Sequence, residues 1–348
     1  MRFVIYGAGA VGGVIGGRLA EHGGNVVLIA RGAHLQAIRR DGLRIESPES
    51  TSRIDVPAVE HPAQIDWIGD DVVLLTMKTQ DTAPAVRDLA AAAPLSTPIV
   101  CVQNGVENER TALRWFARVY AVCVLCPTSY LTPGVLQAWS SPTTGVLDIG
   151  RYPSGSDDLA ETIATALRTA SFSSVARADI MRWKYRKLLS NLGNAIEAIC
   201  GPAARGGRIG EWAQRVGNAI GVAAGGRRLR ELAQREGVAC LDAAGITYAS
   251  EEEDAISRKA MHLHAIAGRR REGGSTWQSL QRRTRSIETD YLNGEIVLLG
   301  RRHGIPTPVN ELLQRVANEM ARAGTPPGTM SEEELLERLS ADVVGATD

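Results

Sequence analysis

A glycine-rich loop near the start of this 348-residue chain constrains its fold more than any other feature. Three glycines in a G-x-G-x-x-G pattern follow the apolar run RFVIY and precede the helix-like run VIGGRLAEHG. In that context the first glycine permits a tight turn, the second admits a pyrophosphate and the third allows close helix–strand packing. The pattern predicts a dinucleotide at the helix N-terminus, and the alternative is a turn that binds no ligand. The predicted cofactor-binding residues of this loop are Gly7, Ala8, Gly9, Ala10, Val11 and Gly12.

The residue that follows the second apolar run, NVVLIA, indicates which dinucleotide is bound. An acidic side chain there would accept the ribose hydroxyls of NAD. This chain has Arg31 instead, and a guanidinium can pair with the 2′-phosphate of NADP. Because the next acidic residue is Asp41, we expect no charge repulsion against that phosphate. The sequence predicts NADPH (NADP) as the cofactor, unless Arg31 is only a solvent-facing arginine at a strand end.

Two kinds of pattern divide the chain. As far as about residue 177, short β-branched runs alternate with helix-like stretches, which predicts a largely parallel sheet, and GVLQAW and TGVLDIGRY predict antiparallel additions. Beyond about residue 179, amphipathic segments such as 209–236 predict helices. The predicted fold class is an α/β Rossmann-type N-terminal domain plus an all-α C-terminal domain. The predicted bounds are 1–178, 179–330 and, for a C-terminal helical appendage, 331–348.

The composition of the chain indicates which kinds of partner and which cellular compartment to expect. Lysine plus arginine (39) equals aspartate plus glutamate (39), so no net field favours nucleic acid or an anionic membrane. No run reaches the roughly 20 apolar residues that span a bilayer. The five cysteines lack disulfide spacing, so we expect a reducing cytoplasm and interpret Cys123-x-x-Cys126 as core. We predict a small-molecule substrate, no nucleic acid, no membrane and no metal, and a helical domain with an appendage favours a homodimer.

Two polar residues follow predicted strands. Lys78 closes DVVLLTMK, and Asn104 follows TPIVCVQ. Ligands of doubly wound sheets bind at the carboxyl ends of the strands. We therefore predict that both residues bind the cofactor and that Asn104 also contacts the substrate, although either could merely cap a loop.

A helix in the second half carries a polar face. Lys187, Asn191 and Asn194 are spaced i, i+4 and i+7, which predicts that all three share one face of one helix. Reduction of a carbonyl by hydride needs a proton donor and polar groups that hold the ketone, and this face offers both. We interpret Lys184 and Arg186, elsewhere on the same helix, as solvated charges.

Two acidic residues lie in SIETDYLNGE. Glu288 and Asp290 are two residues apart and therefore point in different directions on a helix, which argues against a paired-carboxylate mechanism. We predict that at most one of them faces the substrate.

Together these motifs resemble the ketopantoate reductase (2-dehydropantoate 2-reductase) family across nearly the whole chain. The matching residues occur in order and at specific positions. They are GAGAVG at the start, Arg31, Met77 with Lys78, QNG at Gln103 to Gly105, W-x-x-x-K-L-x-x-N ending at Asn191, and ETDYLNG from Glu288.

The resemblance implies a role for each site residue and a C-terminal domain similar to that of 6-phosphogluconate dehydrogenases. Lys187 is similar to the general acid that protonates the new alkoxide, and Glu288 to the carboxylate that holds the substrate hydroxyl. Asn191 and Asn104 are similar to amides that orient the substrate. Thr276 stands in the place of a substrate-binding serine.

The chain departs from the family in its substrate region. The second asparagine usually lies eight residues after the lysine, but Ala195 is there and Asn194 lies one position earlier. Thr276 and Trp277 begin the run TWQSL where members commonly read SMLQD. The region 201–274 is also longer than a minimal member needs. These changes bear on the substrate, because a shared fold does not fix it.

We therefore predict NADPH-dependent reduction of a 2-oxo acid to a 2-hydroxy acid, with ketopantoate to pantoate, in pantothenate biosynthesis, as the leading pair. One alternative is a related reductase of another keto acid, imino acid or ketone. A second is a non-catalytic NADPH-binding sensor, against which intact Lys187, Asn191 and Glu288 argue.

Overall fold

A computed structural model describes residues 1–201, 227–269, 271 and 273–345 of the chain. The chain divides into two compact units. The first comprises Met1–Arg186 with Tyr248–Arg271, and the second Lys187–Thr247 with Glu272–Asp348. A late segment of the chain thus belongs to the first unit, while the predicted domain bounds stay a prediction.

All the strands described lie in the first unit. Seven of them form one sheet and four form another. In chain order the strands are β1 (Arg2–Tyr6), β2 (Asn25–Ile29), β3 (Leu43–Glu46), β4 (Thr51–Ile54), β5 (Ala58–Val59), β6 (Asp71–Leu75), β7 (Ile99–Cys101), β8 (Val119–Leu125), β9 (Thr128–Thr132), β10 (Val135–Ala138) and β11 (Val146–Arg151).

The large sheet has the strand order β11-β8-β7-β6-β1-β2-β5. Every neighbouring pair is parallel except β11 with β8, which confirms the predicted antiparallel addition in TGVLDIGRY. Strand order reverses beside β1, which pairs with both β2 and β6. Ligands of doubly wound sheets bind at this reversal point, outside the carboxyl ends of the strands.

The small sheet has the order β4-β3-β10-β9. β10, in the predicted run GVLQAW, is antiparallel to β9 but parallel to β3. The sequence pattern does not predict this second sheet, because β3 and β10 are far apart in the chain.

Side chains of the large sheet alternate between two apolar clusters. Phe3 and Ile5 of β1 pack into one cluster, and Val4 and Tyr6 pack into the other. Because helices cover both faces, successive residues are all buried, which explains the continuous apolar runs.

The described α-helices account for most of the remaining chain. Short 3₁₀ helices also occur at Thr79–Asp81 and Glu288–Tyr291. In chain order the α-helices are α1 (Ala10–Glu21), α2 (Gly32–Asp41), α3 (Thr82–Ala92), α4 (Asn108–Leu113), α5 (Asp158–Thr169), α6 (Ile180–Asn191), α7 (Gly193–Cys200), α8 (Arg227–Ala243), α9 (Glu251–Arg258), α10 (Ser275–Gln281), α11 (Asn293–His303), α12 (Pro308–Ala323) and α13 (Glu332–Gly345).

The second unit contains helices and no strand among its described residues. Pro308 starts α12 and left-handed Gly324 ends it, and Ser331 forms the predicted capping box with Glu334 ahead of α13. Of the predicted amphipathic segment 209–236, only the part from Arg227 is described, and 209–226 lies outside the described residues. The predicted α/β plus all-α fold class is confirmed.

Backbone and ionic contacts attach Tyr248–Arg271 to the first unit. The amide of His264 donates to the carbonyl oxygen of Trp139 over 2.9 Å. The guanidinium of Arg269 binds both carboxylate oxygens of Glu46, each over 2.7 Å. Among the residues described, no helix combines the length and apolar character needed to cross a membrane.

Candidate active site

The loop between β1 and α1 leaves open space above its second glycine. Gly7 has φ +105°, and a Cβ there would lie 2.8 Å from the amide nitrogen of Met77. A Cβ on Gly12 would overlap the hydroxyl of Thr76 and lie 2.5 Å from the carbonyl oxygen of Gly7. No described atom lies within 4 Å of a Cβ built on Gly9. The tight turn at Gly7, the close packing at Gly12 and the open space at Gly9 therefore fit a pyrophosphate at the start of α1. The first turn of this helix has no acidic residue.

Arg31 is exposed between β2 and α2, next to acidic groups that the sequence did not predict. Its Nη2 donates to the hydroxyl of Tyr6 over 3.4 Å, and that hydroxyl donates to Asp88 Oδ2 over 3.3 Å. Burial raises the pKa of Asp81, while the charges of Arg31 and Lys78 oppose the rise. The expectation of no charge repulsion, which considered only residues up to Asp41, is wrong, because the fold brings Asp81 and α3 to the end of β2.

A buried hydrogen-bond network joins the loops that follow β6 and β7. The amide of Asn108 donates to the carbonyl oxygen of Asn104 over 2.9 Å and to the hydroxyl of Thr79 over 3.2 Å. The amide of Gln103 donates to the carbonyl oxygen of Met77 over 2.9 Å and to the hydroxyl of Thr82 over 2.7 Å. These loops carry the predicted residues Lys78 and Asn104, so their backbone is fixed by the network.

The helix predicted to carry one polar face is interrupted. α6 ends at Asn191 and α7 begins at Gly193, so Asn194 lies on a different helix from Lys187. The amide of Asn293 donates to the carbonyl oxygen of Leu192 over 3.1 Å, at the break. Leu192 alone separates the two helices and keeps helical backbone angles (φ −57°, ψ −29°), so the shared face of the three side chains stays a prediction. Lys187 is half-buried and Asn191 is buried.

Thr276 lies in the first turn of α10 with an unpartnered hydroxyl. The side chain is 1% exposed, and its Oγ1 has no hydrogen-bond partner in the part of the chain that is described. The start of the helix is fixed by Glu197, whose Oε1 accepts from the amide of Gly274 over 3.0 Å. Trp277 packs its side chain against Gly273. Buried polar groups are normally hydrogen-bonded, so the Thr276 hydroxyl indicates a partner beyond the described residues.

The two acids of ETDYLNG occupy different environments. Glu288 is 4% exposed, whereas Asp290 is near the surface. Asp290 Oδ1 accepts from Gln314 over 2.8 Å and from Asn318 over 2.7 Å. Asp290 therefore anchors this segment to α12, which leaves Glu288 as the buried carboxylate.

Lys184 is buried, so its interpretation as a solvated charge is wrong. Its ammonium donates to the carbonyl oxygen of Gln103 over 3.0 Å and contacts the carboxylate of Glu109. The buried residues Ile180, Trp183, Lys184 and Leu188 recur at helical spacing, a signal that would have placed Lys184 on the apolar face. Its partner lies 75 residues away and has no such signal.

Strand order, glycine loop and helical second unit define a dinucleotide-binding oxidoreductase with a Rossmann-like first half. The sequence model of ketopantoate reductase PanE/ApbA matches residues 3–153, and that of its C-terminal part matches residues 179–321. The chain belongs to the ketopantoate reductase family, whose members are nicotinamide-dependent oxidoreductases that act on CH–OH groups.

Individual relatives span almost the whole chain. A 2-dehydropantoate 2-reductase of Pyrococcus horikoshii is 27% identical over 90% of this chain and 95% of its own. The crystal structure of a PanE/ApbA family ketopantoate reductase from Ralstonia eutropha JMP134 is 28% identical, with a TM-score of 0.74 over 93% of this chain and 99% of its own. D-mandelate dehydrogenase, solved with NADH and anilino(oxo)acetate, shares the fold at 20% identity, with a TM-score of 0.76 over 93% of this chain and 99% of its own.

Proposed function

We propose that this protein reduces ketopantoate to pantoate with NADPH. Family membership and the relative named 2-dehydropantoate 2-reductase support this reaction. The observation that carries the proposal is the buried hydroxyl of Thr276, which has no partner among the described residues. A substrate oxygen would satisfy that hydroxyl, and leaving it unsatisfied costs about 1–3 kcal/mol.

Each site residue has a defined task in this proposal. Bound NADPH supplies the hydride. The ammonium of Lys187 donates a proton to the oxygen of the keto group, so that ketone, hydride and proton together give the 2-hydroxy acid. The carboxylate of Glu288 accepts a hydrogen bond from a substrate hydroxyl. Asn104, Asn191, Asn194 and Thr276 hold the substrate by hydrogen bonds.

The cofactor in this proposal is held by groups of the first unit. The backbone from Gly7 to Gly12 faces the pyrophosphate, and Lys78 and Asn104 lie beyond the strand ends where cofactors bind. Arg31 pairs with the 2′-phosphate, which NADH lacks. Asp81 and Asp88 near Arg31 disfavour an unpaired phosphate, so the choice of NADPH depends on this one guanidinium.

Turnover of a panel of 2-oxo acids with NADPH and NADH side by side tests the proposal. We expect the highest kcat/KM for ketopantoate with NADPH, and we expect Arg31→Ala to reduce the preference for NADPH about tenfold or more. The panel includes an aromatic 2-oxo acid, phenylglyoxylate, because the bulky Trp277 follows Thr276. Faster turnover of another 2-oxo acid would make that acid the assigned substrate. Binding of NADPH without turnover of any acid would favour the alternative of a non-catalytic NADPH-binding sensor.

A cytoplasmic location and a homodimer belong to the same proposal. All five cysteines are free thiols, and burial raises the pKa of Cys126 to about 12, which suits a core residue rather than a redox motif. Free thiols are typical of a reducing compartment. Cell fractionation tests the location, and sedimentation equilibrium tests the dimer.

A further inference from the structure

An ion pair is buried within the first unit, beside the loop that carries Asn104. The side chains of Lys184 on α6 and Glu109 on α4 are 2% and 0% exposed. Burial raises the pKa of Glu109, whereas the charge of Lys184 and its hydrogen bond oppose the rise. Oε2 of Glu109 has no hydrogen-bond partner within the described ranges. The carboxylate therefore relies on Lys184 for its counter-charge.

Lys184 also acts on the backbone of the loop. Its Nζ donates to the carbonyl oxygen of Gln103 over 3.0 Å, and the next residue is Asn104. The carbonyl oxygen of Asn104 in turn accepts from Asn108, which directly precedes Glu109. The ammonium thus links the two ends of a short turn that presents the Asn104 side chain.

Stability alone gives no reason for such a pair. Desolvation of two charges offsets much of their attraction, and apolar replacements of buried pairs are often as stable. A buried charge that hydrogen-bonds to one particular carbonyl instead fixes geometry, and small displacements of a substrate-orienting group reduce turnover strongly.

We propose that Lys184 and Glu109 are positioning residues that hold the backbone of Gln103 and Asn104 in the geometry needed for turnover, without touching substrate or cofactor. The proposal rests on the proposed function, because Asn104 has its orienting role there.

Four variants of the full chain separate positioning from folding. They are Lys184→Met, Glu109→Gln, the double variant of both, and Arg2→Met. Arg2→Met is a matched control, because Arg2 pairs with buried Asp71. Both residues begin their strands, β1 and β6, whereas the loops in question follow the carboxyl ends of the strands. The measurements are Tm, the Kd of NADPH, kcat for ketopantoate, and amide hydrogen exchange in peptides that cover residues 102–108.

Lys184→Met should lower both Tm and kcat, because it leaves a buried carboxylate unpaired. The double variant removes that charge and should regain most of the Tm, yet its kcat should stay at least about tenfold below wild type, because the carbonyl of Gln103 still lacks its donor. Amide hydrogen exchange in residues 102–108 should be faster in the double variant than in the wild type. Arg2→Met should lower Tm with kcat and this exchange unchanged, and it should keep the Kd of NADPH within about twofold of wild type.

Recovery of kcat and exchange together with Tm in the double variant would overturn the proposal, and so would an equal loss of kcat in Arg2→Met. If the wild type reduces no 2-oxo acid, the proposed function fails. The exchange comparison between the double variant and Arg2→Met then decides whether the pair holds the loop.

Discussion

Two regions of the molecule treat buried polar side chains in opposite ways. Next to the loops after β6 and β7, the hydroxyl of Thr82 at the start of α3 donates to Asn108 Oδ1 over 2.7 Å and accepts from Gln103 over 2.7 Å. In α10 of the second unit, the equally buried hydroxyl of Thr276 has no partner among the described residues. The first arrangement fixes the shape of a loop in advance. The second leaves hydrogen-bonding capacity for a ligand.

The comparison separates binding from chemistry as well. The open space above Gly9 and the exposed side chain of Arg31 belong to the first unit. The guanidinium of Arg31 does not give up a proton near neutral pH, so neither feature supplies a proton donor. Lys187, Thr276 and Glu288 belong to the second unit, and each is buried or half-buried. We therefore expect substitutions of Gly9 and Arg31 to change cofactor binding, and substitutions of Lys187, Thr276 and Glu288 to change turnover or substrate binding.

The largest expected effect is on turnover. Lys187→Ala should lower kcat about 10³-fold, or about 4 kcal/mol, because the proton donor is lost. The Kd of NADPH should not change, because the cofactor residues lie in the first unit. Lys259→Ala removes an exposed lysine and serves as the matched control in steady-state assays with ketopantoate. Near-normal turnover of the Lys187 variant would remove it from the reaction.

A pair of glycines tests the first unit. Gly12→Ala should lower the free energy of unfolding by about 2 kcal/mol, because its Cβ would overlap Thr76 and the carbonyl of Gly7. Gly9→Ala should leave that free energy within about 0.5 kcal/mol of wild type but weaken NADPH binding, because the methyl group fills the open space. Urea unfolding and NADPH fluorescence titration measure the two effects, and unchanged NADPH binding by Gly9→Ala would contradict the assignment.

Substitutions of two buried threonines, Thr82 and Thr276, compare the two regions directly. Thr82→Val should destabilise the protein by about 1–3 kcal/mol, because it leaves the polar groups of Gln103 and Asn108 without this partner. Thr276→Val should not lower Tm, but it should raise the KM for ketopantoate about fivefold to tenfold, because no described residue binds that hydroxyl whereas the proposed substrate does. Equal losses of Tm in the two variants would show that Thr276 has a structural partner.

The smallest effect concerns the segment that Arg269 attaches to β3. The hydrogen bond from Arg269 lowers the pKa of Glu46, so the carboxylate stabilises the fold at pH values above its unfolded pKa of about 4.3. This contribution is lost as the pH falls through the lowered pKa of the folded protein. Glu46→Gln should therefore lower stability by less than about 1 kcal/mol at pH 7, with a smaller difference from wild type at about pH 3 than at pH 7. Thermal melts at both pH values measure it, and a constant difference would exclude this cause.

Local patterns predicted the parallel sheet and the helical second half because each apolar run reports the burial of its own residues. Distant contacts set the features that were missed. The small sheet depends on pairing of β3 with β10, and the carbonyl of Leu192 between α6 and α7 is bound by Asn293, 101 residues further along the chain. Lys184 was on a recognisable apolar face, but its partner Glu109 carried no sequence signal. The glycine pattern predicted the open loop at Gly9, whereas the acids near Arg31 come from the 3₁₀ helix and the α-helix that follow β6.

A crystal structure of the protein with NADP⁺ and pantoate would show directly which side chains hold the substrate. We expect a pantoate oxygen within about 3.2 Å of Lys187 Nζ and another within the same distance of Thr276 Oγ1, which would give the buried hydroxyl a partner. Pantoate bound away from both side chains, with the Thr276 hydroxyl still unpartnered, would contradict it.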